Sequence, residues 1–183
     1  MVRTRVGYAG GKLADPTYAR IGDHSETIEV DYDPSAIAYA DLLDVFWTGH
    51  DARGASRSTQ YRSAVFYRTA EERAEAEASR SRIEAVRGPV STKIEPLDRF
   101  YRAEDYHQKY YLRADRALMG EFSAMYADDR AFVDSTAAAR VNGWVGGCGS
   151  PAAIERDLAR VGLSDVAREG LRARIMRTAG RAG

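Results

Sequence analysis

An α+β architecture on the ferredoxin-like plan is what this chain predicts. Three features carry the expectation: period-2 segments near the start, an apolar run at residues 61–67, and helical segments interposed between strands. Residues 2–8, VRTRVGY, alternate polar and apolar and meet Gly10-Gly11, which predicts a strand entering a turn. Residues 26–32, ETIEVDY, alternate again, with Ile28, Val30 and Tyr32 on one face. Asp33-Pro34 then opens a predicted helix, since Asp caps and Pro suits the first helical position. Its apolar stripe is Tyr39, Leu42, Leu43, Phe46 and Trp47, and it fades near Gly49.

After the polar loop HDARGASRST, the run YRSAVFY (61–67) is apolar at its centre, as a strand covered on both faces would be. AEERAEAEASRSRIEAVRG reads as a charged, alanine-rich surface helix that stops at Gly88, and VSTKIEPL returns as a strand. From Phe100 the chain turns helical and aromatic, FYRAEDYHQKYYL. Two short helices close it, the first capped by Ser150-Pro151 and the second by Ser164. The predicted order is thus β-β-α-β-α-β followed by helices. The split unit reads β-α-β-β-α-β, so one strand and one helix ahead of residue 2 would complete the plan.

Composition narrows the function class. The chain has 183 residues and zero formal net charge, with 27 basic and 27 acidic side chains, which argues against duplex DNA or an anionic membrane as partner. No apolar stretch approaches the roughly 20 residues that span a bilayer. The start, MVRTRVGYAGG, lacks the apolar core of a secretory signal, so the expected compartment is the cytoplasm. Cys148 is the one cysteine, which leaves no intramolecular disulfide and no cysteine-based zinc site within one chain. His24, His50 and His107 lie too far apart for a local metal motif, and no cofactor is expected.

The chemistry concentrates near Glu26. If the second strand starts there, Glu26 shares the face of Ile28 and Val30 and turns toward the core, where lost hydration favours the protonated acid. A neutral carboxylic acid donates a hydrogen bond, as tyrosine hydroxyls do. Tyr18, in the preceding loop, and Tyr61, at the start of the next long strand, supply two further donors. Three donors on one point stabilise an oxygen that gains negative charge. The competing reading is structural, with Glu26 paired to Arg20 or Arg62 and the tyrosines at the core rim. His24 reads as a hydrogen-bonded strand-start residue and His107 as a helix residue that bonds locally.

At this point the residues resemble a known family. VGYAGG, PTY, HSETIEVDYDP, LLDVFWTGHD, TQYRSAVFY and FYRAEDYHQKYY stand in the order and near-spacing of the A-type peptide methionine sulfoxide reductases. The likeness runs from about residue 2 to 112, so residues 1–112 are expected to be the ferredoxin-like core with a mixed sheet, and 113–183 a helical C-terminal extension. The resemblance implies thiol-dependent reduction of methionine-(S)-sulfoxide, free or in proteins. A cysteine thiolate attacks the sulfur, and the resulting sulfenic acid is reduced by thiols, commonly through a disulfide recycled by thioredoxin. It also implies that Glu26, Tyr18 and Tyr61 hold the sulfoxide oxygen.

Two departures accompany the resemblance. The family's nucleophile sits in a Gly-Cys-Phe-Trp element upstream of GYAGG, a point that here precedes Met1, so the first strand and helix of the core are expected to be missing. Relatives also carry an acidic residue shortly before TQY, where ASRSTQY places Ser56. Cys148, in the glycine-rich GWVGGCGS, resembles the family's resolving cysteines by composition and is the candidate resolving thiol. The reading is a monomeric enzyme of this family whose 183 residues alone are silent or nearly so. The alternatives are a non-catalytic relic that still binds methionine sulfoxide, and a decayed product.

Overall fold

The computed structural model describes residues 2–54 and 56–179. The chain forms two compact units, Val6–Glu104 and Met1–Arg5 with Asp105–Gly183. In order, the elements up to Glu104 are β1 (Arg3–Ala9), β2 (Ser25–Asp31), α1 (Tyr39–Thr48), β3 (Ala64–Tyr67), α2 (Ala70–Arg87), β4 (Lys93–Pro96) and β5 (Phe100–Arg102). This is the predicted β-β-α-β-α-β succession with a short strand added after it, and the fold is α+β.

The strands form two small ladders, where one mixed sheet was expected. One sheet runs β2-β1-β5 and the other pairs β3 with β4. β1 and β5 are antiparallel, with Tyr8 opposite Tyr101 and Gly7 opposite Arg102. β3 and β4 are parallel, Val65 opposite Ile94, joined through α2 in a βαβ unit. Gly7 is demanded by this packing, because a Cβ there would stand 2.2 Å from the Tyr101 carbonyl oxygen.

Each helix of this unit has a local cause. Thr69 caps α2 by accepting from the Glu72 N–H, and Gly88 ends it in a left-handed turn at φ 81°. α1 starts at Tyr39, later than Asp33-Pro34 suggested. Asp33 spends its side chain on a local turn: its Oδ1 accepts from Ser35 N at 2.9 Å and Ser35 Oγ at 2.7 Å. Asp41 instead reaches back to the Ala38 N–H at 3.0 Å, which starts the helix. α1 then buries Leu43 and Trp47 against Ala52 and Ala76, with Val65, Ile83 and Ile94 around them. The Trp47 indole donates to Ser79 Oγ of α2 at 3.0 Å, which satisfies its buried N–H.

In the other unit the helices are α3 (Tyr110–Arg113), α4 (Arg116–Met125), α5 (Asp129–Val133), α6 (Thr136–Val145), α7 (Pro151–Leu158) and α8 (Asp165–Ala179), after a 3-10 turn at Asp105–His107. Ser150 and Ser164 stand before α7 and α8 as expected, and Ser150 Oγ accepts from Ala153 N while Ser164 Oγ accepts from Ala167 N. The sequence reading left α4 to α6 unresolved within a general helical region. Asp115, Asp128 and Ser135 each cap one of them. Their apolar faces close a core of Leu112, Leu118, Phe122, Phe132, Val141, Leu158 and Leu171. Among the described residues no helix is long and apolar enough to cross a membrane.

Candidate functional site

Tyr18, Glu26 and Tyr61 all lie within Val6–Glu104. The loop after β1 turns at Gly10, φ 80°, and lies so close to the start of β2 that a Cβ on Gly11 would sit 2.6 Å from the His24 backbone nitrogen. Fully buried His24 clamps it: its Nδ1 accepts from the Gly11 N–H at 3.1 Å and its Nε2 donates to the Leu13 carbonyl at 2.8 Å. One ring nitrogen accepts and the other donates, which defines the neutral tautomer. Asp23 adds bonds from Lys12 N and Leu13 N, and these two donors hold its carboxyl below the usual carboxylate range. His24 is a structural clamp, as its sequence context suggested.

Tyr18 stands at the tip of a tight turn closed by paired backbone bonds between Thr17 and Arg20. Its N–H donates to Glu104 Oε1 at 2.9 Å, and Glu104 Oε2 accepts from the buried Tyr8 hydroxyl at 2.7 Å. Glu104, just beyond β5, thus ties the turn to β1. Tyr61 comes from the loop before β3, for the strand begins at Ala64, three residues later than expected.

Glu26 corrects the parity reading. It is exposed on β2, and Ile28 beside it is 60% exposed, so this face does not turn into a core. The buried residue at this end of the strand is Ser25. A serine hydroxyl is easily satisfied there: Ser25 Oγ donates to the Thr59 carbonyl at 3.0 Å and accepts from Arg62 Nε at 2.7 Å. A carboxylate at that position would have to lose its hydration. Alternation identified the strand and assigned its covered face to the wrong side.

The three donors nevertheless gather. The Glu26 N–H donates to the Gln60 carbonyl at 2.9 Å, which pins the start of β2 to the loop carrying Tyr61. Gln60 Nε2 donates to Glu26 Oε1 at 2.7 Å and to the Tyr61 hydroxyl oxygen at 3.1 Å. The Tyr61 hydroxyl is hydrogen-bonded to Tyr18, and this bond, then the charge of Tyr18 and lost hydration, pushes Tyr61 above the ordinary tyrosine range. Nearby Glu26 adds to the rise, and the Gln60 bond works against it. Tyr61 is therefore a neutral hydroxyl at physiological pH, able to donate.

The arginine pairings considered for Glu26 are not made. Arg62 forms a two-pronged ion pair with Glu95, at 2.9 and 2.7 Å, and Arg20 contributes its backbone to the Thr17 turn. Ser56 bonds only within its loop, its Oγ donating to the Ser58 carbonyl at 2.9 Å. Gln60 and Glu104 were not singled out from sequence. Their signal was membership of the stretches TQYRSAVFY and FYRAEDYHQKYY. Cys148 lies in the other unit, exposed after α6, between Gly147 and Gly149 with φ of 88° and 94°. His107 falls in the 3-10 turn.

Tyr18 and Tyr61, at 45% and 61% exposure, leave an open patch of hydroxyls beside the Glu26 carboxyl. Such a patch can grip a polar oxygen carried on an apolar stem.

Comparison with known proteins places this chain in a family. The profile of the family described as peptide methionine sulfoxide reductase matches residues 1–136. The peptide methionine sulfoxide reductase of Drosophila melanogaster is 35% identical over 172 residues, covering 92% of this chain and 69% of that protein. Peptide methionine sulfoxide reductase A5 of Arabidopsis thaliana is 39% identical, and this chain spans 59% of its length. Among solved structures, Mxr1 from Saccharomyces cerevisiae in reduced form superposes with a TM-score of 0.56 at 30% identity, over 61% of this chain and 70% of that one. Methionine sulfoxide reductase A of Corynebacterium diphtheriae gives 0.52 at 32% identity, over 60% of this chain and 62% of that one. The chain belongs to the peptide methionine sulfoxide reductases, a family of oxidoreductases, and has their α+β fold.

Proposed function

We propose that this protein serves the thiol-dependent reduction of methionine-(S)-sulfoxide, free or in proteins, with Tyr18, Glu26 and Tyr61 binding the sulfinyl oxygen. The observation that carries the reading is the hydrogen-bonded cluster of those three side chains around Gln60 on one exposed patch. A sulfoxide oxygen bears most of the negative charge of its S–O bond and accepts but never donates. Tyr18 and Tyr61 hydroxyls are donors suited to it, and Gln60 holds the Glu26 carboxyl beside them. Ile28 offers apolar surface for the methionine stem.

Reduction then needs a thiol opposite the donors. The thiolate attacks sulfur, a thioether leaves as the S–O bond breaks, and the thiol carries the oxygen away as a sulfenic acid. Proton donation to the oxygen by Glu26 makes that cleavage easier. A second thiol converts the sulfenic acid to a disulfide and water, and exposed Cys148 is the candidate resolving thiol. Thioredoxin or a small thiol as final reductant, a monomeric state and a cytoplasmic setting belong to the same reading. Cys148, the one cysteine, is read as a resolving thiol and not as the nucleophile, so these 183 residues are expected to bind sulfoxide and turn it over negligibly.

The test is calorimetric titration with a short peptide containing methionine-(S)-sulfoxide, beside a dithiothreitol-driven turnover assay. Binding that weakens about tenfold in Glu26→Gln and Tyr61→Phe, one charge-assisted or neutral hydrogen bond each, supports the reading. Equal affinity for the sulfoxide and the unoxidised peptide would remove it. Substantial turnover by the same protein would overturn the expectation of silence.

A further inference from the structure

Gln60 decides the direction of the hydrogen bonds in the cluster. A carboxamide nitrogen has two hydrogens and accepts nothing. Here it has two acceptors, Glu26 Oε1 at 2.7 Å and the Tyr61 oxygen at 3.1 Å. The consequence is definite on each side. Because the Tyr61 oxygen accepts from Gln60, its hydrogen is directed to Tyr18, the other hydrogen-bond partner of this hydroxyl. Because one oxygen of Glu26 is held, the other remains available to a ligand, and it makes no hydrogen bond among the described residues.

The backbone of Gln60 is itself held, which fixes where the side chain starts. Its carbonyl accepts from Glu26 N at 2.9 Å, its N–H donates to Ser58 Oγ at 3.2 Å, and the neighbouring Thr59 carbonyl accepts from buried Ser25 at 3.0 Å. An amide so anchored between two donors-to-be differs from a loose surface glutamine, because its side-chain entropy is already spent on one geometry.

We propose that Gln60 is a positioning residue of the sulfoxide site, its amide nitrogen tying Glu26 to the bonded Tyr61–Tyr18 pair so that the free Glu26 oxygen and the two tyrosine hydroxyls are presented together. The proposal rests on the sulfoxide-binding reading above. It explains how this loop supports Glu26 with Ser56, and no carboxylate, a few residues before Tyr61.

The test uses Gln60→Met, which keeps length and loses both hydrogens, and Gln60→Glu, which keeps shape and replaces the donor by an acceptor. Tyr61 is followed by NMR of ring-labelled tyrosine without ligand, and peptide sulfoxide affinity is measured in parallel. Removing a bond that lowers the Tyr61 pKa moves its titration to still higher pH in both variants, a shift a merely structural glutamine would not produce. Affinity falls about fivefold to tenfold, and the loss disappears when Glu26→Met, which removes the acceptor, is already present, since the two changes break one bond. If the parent protein binds sulfoxide while both variants titrate and bind as the parent does, or if the two losses simply add, the positioning role is overturned. If the parent itself binds no sulfoxide, the functional reading fails first, and the Tyr61 titration still reports whether the amide tie exists.

Discussion

Glu104 shows how much one carboxylate can organise. It receives the Tyr8 hydroxyl and the Tyr18 N–H on separate oxygens, so the donor-bearing turn is fastened to β1 through a single side chain. Glu104→Ala leaves the buried Tyr8 hydroxyl without this acceptor, and the expected cost is about 2 kcal/mol in urea denaturation. The same variant weakens sulfoxide binding by loosening Tyr18. Asp23 gives a pH signature. Its folded pKa is depressed by Lys12 and Leu13 N–H groups, so its contribution is present above its unfolded pKa and is lost as pH falls through the lower folded value. Stability in the acid range below about pH 4 therefore declines less steeply in Asp23→Asn, read by thermal melts across that range.

At the level of elements, the β1–β5 ladder is the tightest constraint. Gly7→Ala drives a methyl group toward the Tyr101 carbonyl and the Phe100 ring, whose Cζ lies 2.5 Å from the added carbon. Backbone cannot yield as a flexible side chain would, so the expected loss is about 3 kcal/mol, with faster amide exchange at Ala103, whose N–H donates to the Val6 carbonyl, marking the opened ladder. The elements also show what sequence patterning could carry. β1, β2 and α2 were legible because alternation, a charged alanine-rich run and a terminal glycine are local signals. β5 was not, since three residues carry no period. The start of α1 was misplaced because Asp33 had two local uses, a helix cap and an Asx turn, and only the chain's onward path chose between them.

Across the whole molecule, alkaline stability is set in part by Tyr39, which joins α1 to the core around Trp47. Burial first, then the charge of Glu72 on α2, pushes its hydroxyl up to about 12. A raised folded pKa stabilises fully below the unfolded value, and that contribution is lost as pH climbs through the folded one. Stability is expected to fall between about pH 10 and 12, and Tyr39→Phe to flatten that limb in denaturant titrations. The two compact units each have their own apolar cluster, and the candidate site draws all its named side chains from Val6–Glu104.

By itself the sequence determined the β-β-α-β-α-β succession, the capping serines of the last two helices, the family motifs and the identity of the three oxygen-binding candidates. These rest on spacing and on residue chemistry, which a linear chain expresses directly. Only the tertiary structure decided that Ser25, not Glu26, is the buried residue at the start of β2, and that Gln60 and Glu104 hold the tyrosines and the carboxyl in place. The reason is physical. A strand's period says which side chains share a face, but which face is covered, and which distant donor satisfies a given oxygen, depends on what the rest of the chain brings alongside.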